Sequence, residues 1–294
     1  MPKQLERYAP ALFVFLWSTG FIGAKYILPY ASPFTFLTIR YLAATVVLVA
    51  LAKLAKESLR MSRSQIKESI LVSIFLHVLY IAGVFYAVHL GVSAGITAVI
   101  VSLQPVFVSL IAVPMFREKL RVVQLLGLSL GLVGVALLLL PKILQGDYST
   151  NYSALGLLSC FLALLGTTVG YLLQKRTGNA ISFLSGTAVQ YSAATIVFFI
   201  LAVVFEDTTV VVNLRFILAL SWIVLALSIG SIFLLFYMLR TDSASSVASL
   251  YYLVPPSTAI QAFILFGERI TLIGIFGMAL AALGVLLVTK EIKR

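Results

Sequence analysis

Cysteine is nearly absent from this 294-residue chain, Cys160 being the only one. It can build neither an intrachain disulfide framework nor a thiolate metal cluster. Charge is scarce too, at 11% of residues, and acid is scarcer than base, with ten Asp and Glu against 21 Lys and Arg. Only two histidines occur, His77 and His89, and neither an H-E-x-x-H run nor a Walker phosphate loop is present. These absences argue against metallohydrolases, ATP-driven pumps and disulfide-stapled secreted domains. The expectation is therefore no catalytic residue, no metal and no cofactor.

What the chain has instead is apolar surface. Hydrophobic residues make up 61% of it and mean hydropathy is +1.10, more than a water-facing fold can use, so the bilayer is the solvent. A helix needs about 20 residues to span the hydrocarbon. Apolar runs between charged or Pro/Gly breaks give ten spans: Ala9–Tyr30, Phe34–Leu54, Ser69–Leu90, Val92–Phe116, Val122–Leu140, Ala154–Gln174, Phe183–Phe205, Phe216–Leu239, Ala244–Phe266 and Leu272–Thr289. They lack the alternation of a membrane barrel. The fold class is an all-α integral membrane protein. The first run follows Lys3 and Arg7 without a small-residue cleavage site, so it is read as a retained helix.

Basic residues set the orientation. With the N-terminus inside, sixteen Lys and Arg fall on inner segments and three, Lys142, Arg215 and Arg269, on outer loops. The positive-inside rule then places both termini in the cytoplasm. It also accounts for the net charge of +11 by anionic membrane lipid, with no nucleic-acid partner.

The chain is also written twice. Arg-Tyr-Leu-Ala-Ala-Thr at Arg40–Thr45 returns as Gln-Tyr-Ser-Ala-Ala-Thr at Gln190–Thr195, and Phe116–Leu120 returns as Phe266–Ile270. Gly20, Lys25, Ser93, Pro105, Gly127 and Gly134 recur 150 positions later as Gly170, Lys175, Ser243, Pro255, Gly277 and Gly284. The two units, 1–145 and 150–294, each hold five spans. An odd number makes the second unit enter the membrane with opposite polarity, an inverted repeat of the kind that builds transporters around a midplane site.

Trp17-Ser18-Thr19-Gly20, Arg40, Gln104-Pro105, Pro255-Pro256, the Glu118 and Glu268 turns and the Gly-rich fifth and tenth spans follow one another in order. In that order the chain resembles the drug/metabolite transporter superfamily, in its ten-helix, two-domain EamA branch. The resemblance covers nearly the whole sequence. It implies export of amino acids or other small metabolites, and leaves the substrate open. Small multidrug-resistance relatives exchange cations for protons through a carboxylate in the first helix. Here that helix has Trp17, Ser18 and Thr19 and no acid, so a neutral, zwitterionic or anionic solute is expected.

Several residues are candidates for the solute path. Arg40 lies about two turns inside its span; a charge at that depth faces a cavity or a partner. Lys25, nearer an end, is read as snorkelling to headgroups. A lone intramembrane histidine is more often a packing residue, but His77 is deep enough to relay protons. Trp17, Tyr80, Tyr86, Ser102, Gln104, Thr167, Thr168, Tyr237, Ser249, Tyr251 and Tyr252 are possible cavity-lining groups. Pro105 and Pro255 occupy equivalent positions and are expected as hinges. Gly127-x-x-x-Gly131 and Gly277-x-x-x-Ala281 suit close helix packing, and Glu118 and Glu268 suit capping. The resulting expectation is an inner-membrane transporter, its oligomeric state left open with a monomer plausible, that exports an amino acid or related solute by alternating access. A multidrug exporter of the same fold, or a lipid-modifying membrane enzyme, are the rival readings.

Overall fold

The computed structural model describes residues 3–27, 29–90, 92, 97, 100–144, 153–178, 180–267 and 270–290. The expectations for Ser93, Glu268 and Arg269 and for the side chains of Lys25, His89 and Lys142 fall outside it. Among the described residues the regular elements are helical, apart from a single bridge between Ala31 and Val210.

In chain order the helices are α1 (Lys3–Ile27), α2 (Pro33–Leu54), α3 (Arg63–Val72), α4 (Tyr80–His89), α5 (Gln104–Phe116), α6 (Val122–Leu144), α7 (Ala154–Thr177), α8 (Phe183–Phe205), α9 (Leu214–Trp222), α10 (Ile232–Thr241), α11 (Ala244–Ser249), α12 (Val254–Phe266) and α13 (Leu272–Lys290). A π-helical segment, Ser73–Leu79, joins α3 to α4, and a second, Ile223–Ser231, joins α9 to α10. Seven helical stretches among the described residues are long and apolar enough to cross a membrane. Helices α1, α5 and α6 occupy the remaining expected positions, much of the chain just before α5 lying outside the description.

Three expected spans differ in detail. The third begins at Arg63, where Ser62 and Gln65 form a reciprocal capping box that satisfies exposed backbone groups at a helix start. The third and eighth widen into π turns. The ninth is not one helix: a 3₁₀ turn, Leu250–Leu253, separates α11 from α12. Pro255 and Pro256 open α12, where proline's missing N–H costs least, in the first helical turn. Pro105 stands at the same place in α5.

Among the most extensive contacts, together with the third span against α7, are two helix pairs, α2 with α8 and α6 with α13. The members of each pair begin 150 residues apart. Both pairs run antiparallel. In the first, Phe34 stacks on Phe198 and Tyr41 meets Tyr191, while Glu206 at the end of α8 accepts from the Phe34 and Thr35 backbone N–H groups at 2.8 Å each. At the other end Ser182 donates to Glu57. In the second pair Gly127 meets Gly284 and Gly134 meets Gly277 and Ala281, as the small-residue spacing leads one to expect.

The rest of each surface is apolar. On α8, Tyr191, Ala194, Phe198 and Ala202 are buried while Ile196, Phe199, Ile200, Val203 and Val204 are exposed. A helix with apolar residues on both its packed and its exposed face belongs in hydrocarbon.

Candidate functional site

The polar groups in the interior converge where α2 and α8 pass the two π segments. On an α-helix that rises 1.5 Å per residue, Arg40 lies about 10 Å from the start of α2 and Gln190 about 10 Å from the start of α8. The helices are antiparallel, so the two residues stand at different depths, on either side of the middle.

Arg40 is half-buried. Its Nε donates to the Ser228 hydroxyl at 2.8 Å and its guanidinium lies 5.2 Å from the centre of the Tyr41 ring. Ser228 belongs to the second π segment, and its carbonyl also accepts from the Tyr191 hydroxyl. Among the described residues no carboxylate pairs with Arg40, and none of them accepts from its two terminal nitrogens. A guanidinium presented this way matches the geometry of a carboxylate or phosphate.

Gln190 is held on the other side. His77 Nε2 lies 3.1 Å from Gln190 Oε1, and Gln190 Nε2 donates to Gln174 Oε1 at 3.0 Å. Ser73 donates to the Gln190 carbonyl at 2.5 Å. Ring centroids of Tyr41 and Tyr191 lie 5.7 and 5.0 Å from that of His77, and Tyr41 stacks on Phe198 at 5.6 Å. The two tyrosines thus form an aromatic layer beside both polar centres. Tyr80 is buried within electrostatic reach of Arg40 and Tyr41.

A second aromatic group flanks this core. Trp17 is 5.2 Å from Phe13 and 5.3 Å from Tyr251, and Tyr171 is 6.2 Å from Tyr251. The Tyr251 hydroxyl is buried without a protein partner.

The structure therefore brings together Arg40, His77 and Tyr80 around one core, with Trp17 linked to it through Tyr251, which lies within electrostatic reach of Tyr80. The remaining candidates sit elsewhere. Gln104 is buried at the start of α5, its Nε2 unpartnered. The Ser249 hydroxyl donates to Ser246 O in its own helix at 2.7 Å. Tyr252 packs onto Gly131 of α6, and Tyr86 is 42% exposed.

Glu118 caps, but not the helix expected. It accepts from Ala244 N at 2.6 Å and the Ser245 hydroxyl at 2.7 Å, at the start of α11, because the turn after α5 folds back against that helix. Sequence reasoning singled out Gln190 only as the counterpart of Arg40, and missed Tyr41, Gln174, Tyr191 and Ser228 as its surroundings. The duplicated Tyr41 and Tyr191, beside Arg40 and Gln190, were the available signal.

Comparison with known proteins gives a consistent picture. A model described as the EamA-like transporter family matches residues 9–140 and 154–290. The uncharacterized transporter YvbV of Bacillus subtilis is 25% identical over 304 residues, covering 100% of this chain and 94% of its own. The uncharacterized inner membrane transporter YedA of Escherichia coli is 25% identical over 290 residues, covering 98% and 92%. An uncharacterized transporter of Archaeoglobus fulgidus is 25% identical over 290 residues, covering 96% and 97%. A solved crystal structure superposes with a TM-score of 0.83 at 17% identity, covering 97% of this chain and 96% of its own, a likeness of fold.

Proposed function

The chain belongs to the EamA-like transporter family, and on that premise we propose that it exports a small metabolite, an amino acid or related solute, by alternating access. It is an integral membrane transporter rather than an enzyme, which sets aside the lipid-modifying reading. The two units, 1–145 and 150–294, act as inverted repeats of five spans each, with both termini cytoplasmic. Support comes from the antiparallel pairing of α2 with α8 and α6 with α13, since each helix lies against the one that begins 150 residues later. A two-fold axis in the membrane plane relates elements in this way.

The observation that carries the substrate reading is Arg40, held by Ser228 through Nε with no partner for its outer nitrogens among the described residues. An intramembrane cation without a protein counter-ion attracts an anionic group. The solute carboxylate would sit on Arg40, and the Trp17, Phe13 and Tyr251 group would bound its apolar part. The breaks before Pro105 and Pro255 are where the fourth and ninth spans would bend.

The test is reconstitution into liposomes, with labelled amino acids and metabolites screened under imposed pH gradients. Carboxylate solutes should be moved, and Arg40→Gln should lower their kcat/KM by about 10- to 100-fold, the loss of one charge-assisted hydrogen-bonded pair. Unchanged kinetics in Arg40→Gln would remove Arg40 from the site. Movement of cationic dyes in place of carboxylates would establish the multidrug alternative.

A further inference from the structure

One face of the third span carries a polar group at every fourth position: Gln65, Ser69, Ser73 and His77. In an α-helix such a row drifts by about 40° per step. The wider π turn at Ser73–Leu79 turns part of that drift back, so the row stays on the buried side. Ser69, Ser73 and His77 are all buried.

The neighbouring helices continue the row. Gln174 and Gln190 extend it by their hydrogen bonds to each other and to His77. Thr187 lies one turn before Gln190 on α8, next to Gly186, which faces the Ser69 hydroxyl. Gln65 closes the row near the surface, donating to Ala180 O at 2.9 Å. That end of the bundle holds Arg63, Lys67, Arg176 and Arg240, the basic face that the positive-inside rule makes cytoplasmic. At the opposite end of the row, Tyr41 and Tyr191 close over His77, with Phe198 stacked on Tyr41.

Two features separate this row from ordinary packing. The first is that three of its buried polar atoms, Ser69 Oγ, Thr187 Oγ1 and Gln174 Nε2, have no protein hydrogen-bond partner. Polar atoms this deep are almost always satisfied, by protein or by water. The second is that the row, built from both units, is not repeated at the equivalent positions, apart from Arg215 and Arg40 in place of Gln65 and Gln190. The positions 150 residues from Ser69, Ser73 and His77 are Ala219, Ile223 and Leu227, and that from Thr187 is Leu37. The same architecture is thus built with apolar side chains where no path is needed.

We propose that this row is a hydrated proton inlet leading from the basic face to His77, which takes up a proton that accompanies the solute. The inlet rests on the structure alone; its use in coupling rests on the transporter reading above. Water held by Ser69, Thr187 and Gln174 delivers a proton to the imidazole. The imidazole adds it at the ring nitrogen that is free in the neutral form. Gln190 Oε1 accepts from Nε2–H in both states, so the contact survives protonation. The charged group around His77 is Arg40 on α2, and the other titratable groups are the neutral phenols of Tyr41 and Tyr191 on α2 and α8; α7 contributes the neutral Gln174. No carboxylate among the described residues hydrogen-bonds or ion-pairs with it. An anion bound at Arg40 would cancel the one nearby positive charge and favour the proton on His77. Proton and anionic solute would then load together.

Hydrogen–deuterium exchange at the imidazole Cε1–H, followed by mass spectrometry on the intact protein in lipid nanodiscs, tests this without a known substrate. The expected result is that His77 exchanges at a rate that follows a titration curve with pH, and that the near-isosteric Thr187→Val slows it severalfold. Ser69→Ala provides a second variant should Thr187→Val fail to fold. No exchange at His77, or rates unchanged in both folded variants, would overturn the inlet while leaving the transporter assignment standing. Exchange as expected in a protein that moves no solute in liposomes would instead sink the transport reading and keep the inlet.

Discussion

Arg40 and Gln190 occupy equivalent positions in the two repeats, yet their chemistry differs. Arg40 is a fixed charge steadied by a hydroxyl; Gln190 is a neutral group in a hydrogen-bonded chain. Their difference could be read in the sequence, because an otherwise matched block changes there from Arg-Tyr to Gln-Tyr. Their partners could not. Ser228 lies in an apolar run where a serine reads as packing, and only the antiparallel contact of distant segments puts it under Arg40. Glu118 makes the same point. Its place at a turn marked it as a cap, but the helix it caps begins 126 positions later in the chain. Glu118→Ala leaves the Ala244 N–H and the Ser245 hydroxyl without their acceptor. A loss of about 1–3 kcal/mol is expected, seen as a lower thermal midpoint in detergent, with Glu118→Gln recovering part of it.

At the scale of elements, glycines separate contacts that can yield from contacts that cannot. A Cβ on Gly134 would stand 2.4 Å from Ala281 N and 2.5 Å from Gly277 O, both backbone atoms of α13. A Cβ on Gly20 would meet only the Leu227 side chain, at 2.9 Å. Gly134→Ala must therefore push α6 from α13, costing roughly 1–3 kcal/mol as overpacking does. Gly20→Ala needs only a rotation of Leu227. Thermal unfolding of the two variants side by side should show a clear loss for Gly134→Ala and a small one for Gly20→Ala. The spacing of small residues announced close packing of α6 and α13 in advance. The π turns gave no such notice, since Ser73–Leu79 and Ile223–Ser231 share no residue type that demands a wide turn. They pack against α7 and α8 in the first case and α1 and α2 in the second.

Across the whole molecule, the proposed inverted repeat carries its own test. The two units touch through α2 and α8 and through α6 and α13, interfaces as extensive as any within a unit. Residues 1–145 and 150–294, co-expressed as separate chains with a tag on one, should co-purify and retain transport. Recovery of the tagged half alone would show that the units do not hold together without their link. Apolar composition, span positions, the duplication and the intramembrane Arg40 were all determined by the sequence itself, because hydropathy and repetition are properties of the chain read along its length. Which polar groups meet was decided only by the tertiary structure. His77 reaches Gln190 across 113 positions and Arg40 reaches Ser228 across 188. In a bilayer any buried polar group gains by finding a partner, so pairing follows from which antiparallel helices come into register, and that is a property of the packed bundle.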